Sequence, residues 1–238
     1  MDTCETHISW ITCAKETRPT IRPFDKTELS VRITEEEVIR ATKEAGSNRA
    51  LGPDEIRNEH IKETMTVLLP TWTALLNKSM KLGQIPSEWK KSTIKLIYKG
   101  RGDTFNPNAY RGIALESNAL KPLTRILAKR VVSMLNPVLP EEQFGYRPRR
   151  STLLTAGRLL QHIRTELEKP RGKLYAVFVD FSKAFDLVNR ELTISKLEGL
   201  IGRTKLTTLI SNILADNQIQ IDEGIGKSRW LKQTNGVL

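Results

Sequence analysis

Residues 174–179 read LYAVFV, an unbroken apolar run closed by Asp180, and no other stretch restricts the possible folds as tightly. Six residues are too few for a buried helix. The run has no polar alternation, so it does not suit a strand with one wet face. Its Tyr, Val and Phe content predicts a central β-strand covered on both sides. A carboxylate at the end of such a strand is costly unless a backbone cap, a basic side chain or a metal ion compensates it. Residue types alone leave Asp180 with two readings, the cap of a turn entering the next helix and a metal ligand.

A strand covered on two faces needs helices, and the sequence supplies them. Thr34 with Glu37 three positions on forms a capping box, Val38, Ala41 and Ala45 follow at helical spacing, and Gly46 stands at the expected C′ position. Residues 56–83 make a second helical region with an apolar face of Val67, Leu68, Trp72, Leu75, Leu76 and Met80; Pro70 marks a break in it and Gly83 stops it. Alternation over residues 93–98 predicts a strand, and the turn-rich KGRGDTFNPNAY that follows predicts a hairpin connection. Further helices are expected over residues 118–135, with Pro122 confined to the first turn, and over 151–167, with Leu153, Leu154, Leu160, Ile163 and Leu167 as the apolar face. Helical pattern resumes over 190–200 and 205–214, and 217–230 reads as a hairpin turning at Glu223 and Gly224. Residues 1–30, with Pro19 and Pro23 and no steady period, read as a loosely ordered lead-in.

Charge narrows the partner. Lys and Arg outnumber Asp and Glu by 38 to 27, a formal net charge of +11, which suits a polyanion such as nucleic acid. Cys4 and Cys13 fit no zinc spacing and make no disulfide framework, so a reducing intracellular setting is expected. His7, His60 and His162 are scattered without a ligand constellation. No window approaches the roughly 20 apolar residues of a membrane span, and no membrane partner is expected.

The segment FVDFSKAFD around Asp180 resembles the first carboxylate motif of reverse transcriptases, specifically those of non-LTR (LINE-like) retrotransposons. Further likenesses precede it in order: RALGPDEI with Glu59, the strand region 89–99, the box Tyr110-Arg111-Gly112-Ile113-Ala114-Leu115, and Gln143-Phe144-Gly145-Tyr146-Arg147 followed by Ser151 and Thr152. Each motif is weak singly, but their order is specific. Leu51 stands for a usual proline, Glu55 for a glycine and Gly112 for a proline, which bears on loop rigidity more than on chemistry.

The resemblance implies an α+β fold of the right-hand polymerase type, with residues 31–170 as a fingers-like helical region and 171–238 as a partial palm. It implies transfer of a nucleotidyl group from dNTP to a DNA primer 3′-hydroxyl on an RNA template. Asp180 would ligate two Mg²⁺ ions, helped by the backbone carbonyl of Phe181. Phe185 would stack under the sugar as a steric gate, beside Phe181 and Ala184; ordinary core packing is the competing reading of Phe185. Lys99 and Arg111 would hold the triphosphate, against a competing reading as solvated strand-end charges. Arg147, Arg149 and Arg150 would track nucleic-acid backbone. Asp186 is expected in a salt bridge or cap rather than at a metal. A nuclear or cytoplasmic ribonucleoprotein location follows from the family alone.

Such chemistry needs a second source of carboxylates, which the family supplies as Ala-Asp-Asp. No Asp-Asp pair occurs in the sequence, and Leu214-Ala215-Asp216-Asn217 comes too early for it. The final Asn235-Gly236-Val237-Leu238 resembles the start of the family's Gly-Val-x-Gln-Gly box. The expectation is therefore a fragment, catalytically inactive alone; the alternative is a non-catalytic nucleic-acid-binding remnant. A group II intron-type maturase fits less well, since nothing resembles an RNA-splicing domain.

Overall fold

A computed structural model of the chain describes residues 32–224 and 226–237; the expected lead-in and both cysteines lie outside them. The core is helical. Helix α1 (Glu35–Lys43) starts at Thr34, whose side chain accepts from the Glu37 amide while the Glu37 carboxylate accepts from the Thr34 amide, as the sequence predicts. Glu37 also receives the Arg130 guanidinium at 2.7 Å, so one carboxylate both closes the cap and ties α1 to a distant helix. The C-cap is Glu44, which puts Ala45 rather than Gly46 at C′; the Gly46 carbonyl instead accepts from Asn58.

Helix α2 (Asn58–Leu82) runs unbroken through Pro70 and ends on Gly83 in the left-handed region. Pro70 does not split it because this part of the helix is exposed, and water can satisfy the carbonyl that proline leaves without a donor. The buried face is Ile61, Met65, Thr73, Leu76 and Met80, while Val67 and Leu68, expected on that face, point to solvent. Helix α3 (Lys121–Leu135) carries Pro122 in its first turn and buries Leu123, Ile126 and Leu127. These residues pack with Val38, Ala41, Ile201, Leu206 and Leu209 into one core, the last three from α5 (Arg190–Ile201) and α6 (Lys205–Leu214).

The sheet is small and mixed, in the order β2-β1-β3-β4. Strand β1 (Lys91–Tyr98) pairs antiparallel with β2 (Tyr110–Glu116) through the expected hairpin, Tyr98 opposite Tyr110. On its other edge β1 takes β3 (Gln218–Asp222) in parallel, with Thr93 opposite Gln220 and a side-chain hydrogen bond of 3.0 Å between them. Strand β4 (Leu231–Lys232) pairs antiparallel with β3 after a turn at Glu223 and Gly224, as expected. The sheet thus joins the two ranges divided at residue 170.

The central strand expected at 174–179 does not form. The run lies in neither helix nor strand, and Tyr175, Val177, Phe178 and Val179 are 89%, 87%, 83% and 77% exposed. A strand exists only with a ladder partner. Both edges of β1 are occupied by β2 and β3, and among the described residues the run finds no other partner. Helix α4 (Thr152–Leu167) forms where expected, capped by Ser151, but buries none of its residues.

Candidate nucleic-acid interface

Two close approaches hold the loops around the site. In RALGPDEI, Asp54 Oδ2 accepts from the Ser117 hydroxyl at 2.7 Å and the Ala119 amide at 3.2 Å, clamping the loop to the junction of β2 and α3. Gly52 lies against the Glu116 carbonyl, where an added Cβ would come within 2.2 Å. Glu55, standing where the resembling motif has glycine, adopts φ +54°, the left-handed conformation that glycine takes without strain.

The hairpin of β1 and β2 carries Lys99 and Arg111. Lys99 follows β1, and its ammonium donates to the Asn108 carbonyl at 2.8 Å. Arg111 lies opposite Ile97, exposed, with no hydrogen bond or ion pair among the described residues. Both therefore sit on one exposed hairpin, Arg111 with all its donors available.

The loop Gln143-Phe144-Gly145-Tyr146-Arg147 holds a second basic group. Arg147 is turned inward: its guanidinium donates to the Asn136 side chain at 3.0 Å, the Asn136 carbonyl at 3.1 Å and the Gln143 carbonyl at 3.3 Å, closing the end of α3. That use leaves little of it for phosphate. Arg150 and Arg158 lie over the Phe144 ring at 4.9 and 5.1 Å, so one aromatic ring orders two guanidiniums. Arg149 is exposed at φ +60°. Tyr146 meets Phe185 edge to face at 6.4 Å, which joins this basic loop to the carboxylate motif.

Within that motif Asp180 is exposed and makes no hydrogen bond or ion pair among the described residues; Phe181 and Ala184 are exposed as well. Phe185 is only half-covered, by Tyr146, and is not a core residue. Lys183, at φ +52°, begins a turn closed by the Leu187 amide on its carbonyl. Asn189, not Asp186, caps α5 by accepting from the Leu192 amide at 2.9 Å, and Asp186 has no salt bridge among the described residues. Among the described residues no three His, Cys, Asp or Glu side chains stand close enough to hold a metal ion. Of the full carboxylate set that two magnesium ions would need, the motif among the described residues thus presents Asp180 as a candidate ligand without two acidic neighbours beside it.

Arg190 belongs to none of the motifs in the sequence. Its Nε donates to the Gly236 carbonyl at 2.6 Å and its Nη1 to the Leu214 carbonyl at 2.6 Å, while burial lowers its pKa. The Gly236 and Val237 amides donate to the Val188 and Phe185 carbonyls at 2.9 and 3.0 Å. Gly236 is at φ +80°, and a Cβ there would sit 2.8 Å from the Asp186 carbonyl. Arg190 and Gly236 together clasp the turn that bears Phe185. A hint lay in the sequence, because a cation in the first turn of a helix opposes the helix dipole and must be held by something else. Asp216, in the Leu214-Ala215-Asp216-Asn217 stretch, is an ion-pair partner: the hydrogen bond from Lys232 at 2.9 Å holds its carboxyl below the usual range.

The profile of the family described as reverse transcriptase (RNA-dependent DNA polymerase) matches residues 90–237, more than half of the chain. The chain is 31% identical over 172 residues to the probable RNA-directed DNA polymerase from transposon BS of Drosophila melanogaster, covering 71% of this chain and 19% of that protein. It is 29% identical over 170 residues to the corresponding X-element protein of the same organism, covering 71% of this chain and 18% of the relative. It is 31% identical over 166 residues to the retrovirus-related Pol polyprotein from type-1 retrotransposable element R2 of Popillia japonica, with coverages of 68% and 23%. The chain spans about a fifth of the length of these relatives.

Proposed function

This chain belongs to the reverse transcriptase family, and from that premise we propose that it is the template- and nucleotide-facing part of a retrotransposon RNA-directed DNA polymerase domain. The family match over residues 90–237 carries the reading, because it spans the hairpin, the basic loop and the Asp180 motif. Residues 31–170 take the fingers role and 171–238 the first part of the palm of a right-hand polymerase. Arg111, with Lys99 beside it, contacts the dNTP triphosphate. Arg149 and Arg150 track the backbone of an RNA template paired to a DNA primer. Phe185, held by the Arg190 and Gly236 clasp, faces the incoming nucleotide with Phe181 and Ala184.

Asp180 supplies one acidic ligand toward the reacting phosphate. Two-metal phosphoryl transfer needs carboxylates from more than one element, and the described residues assemble no such set. On this reading the described residues bind primer–template and do not by themselves supply the carboxylate set that extension needs. The same observation favours the second reading, a non-catalytic nucleic-acid-binding remnant.

Incubation with an RNA–DNA primer–template, dNTPs and Mg²⁺, read on a sequencing gel and in parallel by fluorescence anisotropy, tests this. Salt-sensitive binding with no added nucleotide is the expected result. Primer extension would overturn the claim of an incomplete site, and absence of binding at low salt would overturn the polymerase-domain reading. If binding occurs, an Asp180→Asn variant separates the two readings: weakened Mg²⁺-dependent retention of dNTP supports the polymerase role, unchanged behaviour the remnant.

A further inference from the structure

Phe185 stands on a turn outside the helical core, yet the backbone of that turn is tied to the core through one side chain. Arg190 is the first residue of α5, where a cation opposes the helix dipole, so α5 itself gains nothing from its charge. Its Nη1 instead donates at 2.6 Å to the carbonyl of Leu214, the last residue of α6, where a cation meets the negative end of a dipole. Helix α6 is anchored by Leu206, Thr207 and Leu209, all fully buried. The Nε of the same guanidinium donates to the Gly236 carbonyl at 2.6 Å. Among the described residues Arg190 has carbonyl partners and no carboxylate, so it spans two backbone segments rather than forming half of an ion pair.

Gly236 passes that position on. Its amide donates to the Val188 carbonyl at 2.9 Å, and the Val237 amide donates to the Phe185 carbonyl at 3.0 Å. At φ +80° Gly236 brings the two backbones so close that a Cβ would lie 2.8 Å from the Asp186 carbonyl. We infer that Arg190 is a positioning residue of the nucleotide site: through Gly236 it fixes the Phe185 turn against α6, and so sets how sharply the site tells a deoxyribose from a ribose. This role rests on the nucleotide-facing reading of Phe185.

Discrimination by one hydroxyl is weak where a pocket can yield to the larger substrate. A ring on a loosely held turn moves aside at small cost. A ring whose turn is stapled by these four hydrogen bonds to a packed helix does not. The arginine fork suits the task because its planar donors meet two carbonyls from different segments in one fixed geometry. A lysine keeps the charge, but its compact ammonium on a flexible stem does not hold that spacing.

Equilibrium dialysis of labelled dGTP and GTP against the 238-residue chain, with Mg²⁺ and an RNA–DNA primer–template that presents a cytosine, tests this. The wild type is expected to retain dGTP in preference to GTP. Arg190→Lys and Gly236→Ala each lower that preference about tenfold, the worth of roughly one charge-assisted hydrogen bond. The double variant loses little more than either single one, because both open the same clasp. Ile126→Val, a core change outside the clasp, lowers stability and keeps the preference. In hydrogen exchange, Arg190→Lys strips protection from the Gly236 and Val237 amides while the Leu209 amide of α6 keeps its own. A wild type without preference between dGTP and GTP would overturn the nucleotide-facing reading, and this role with it. A preference that survives Arg190→Lys, additive losses in the double variant, an equal loss in Ile126→Val, or unchanged exchange at Gly236 and Val237 would overturn the positioning role alone.

Discussion

Asp54 shows how one side chain can hold a loop that its own backbone does not. Its carboxylate satisfies the Ser117 hydroxyl and the Ala119 amide, 63 and 65 positions further along the chain, and both donors belong to buried residues. Asp54→Ala leaves them without an acceptor and is expected to cost about 1–3 kcal/mol in chemical denaturation. Close by, burial pushes the Glu116 carboxyl above its usual value, and the Lys121 ammonium offsets this only in part. A raised carboxyl binds its proton more tightly in the folded state. Its contribution to stability is therefore full below the unfolded value of about 4.3 and is lost as pH climbs through the folded value. Glu116→Gln cannot ionise; urea midpoints measured from about pH 4 to 7 should fall less with rising pH than those of the wild type. Neither contact is legible in the sequence, although Asp54 lies within RALGPDEI, because the surroundings are assembled from distant segments. Asp180 is the reverse case: its motif is legible, and its solvent-exposed position is not.

At the scale of elements, what sequence reveals depends on how local the stabilising contact is. The Thr34 and Glu37 capping box, Gly83 at the end of α2 and the turn at Gly224 involve residues a few positions apart, and all stand where expected. The parallel pairing of β1 with β3 joins Thr93 to Gln220 and has no local signal. Residues 174–179 and the apolar face of α4 mislead for one common reason: hydrophobic pattern states what a segment would bury, not whether a partner is present to cover it. Where partners are present, burial is complete. Leu123, fully buried on α3 within the helical core, should cost about 2–5 kcal/mol on truncation to Ala. Leu153→Ala on exposed α4 should change stability by no more than about 0.5 kcal/mol. Comparing the two urea midpoints checks both expectations.

For the molecule as a whole, a helical core carries a small basic sheet on which the exposed hairpin bearing Lys99 and Arg111 is presented, and the loop bearing Arg149 and Arg150 touches the Asp180 motif through Tyr146 and Phe185. Among the described residues no helix is long and apolar enough to cross a membrane. The +11 charge anticipates a polyanionic partner but does not say which cations face it; the structure ties Arg147 to Asn136 and leaves Arg149 exposed and Arg150 stacked on Phe144. The most direct measurement is the salt dependence of primer–template affinity, as the slope of log K against log salt, for wild type and an Arg149→Ala, Arg150→Ala double variant. A steep negative slope is expected for the wild type, and one shallower by about 2 for the double variant, roughly one for each phosphate that an arginine no longer neutralises. A flat wild-type slope, or one that the double variant leaves unchanged, would contradict nucleic-acid binding by this face.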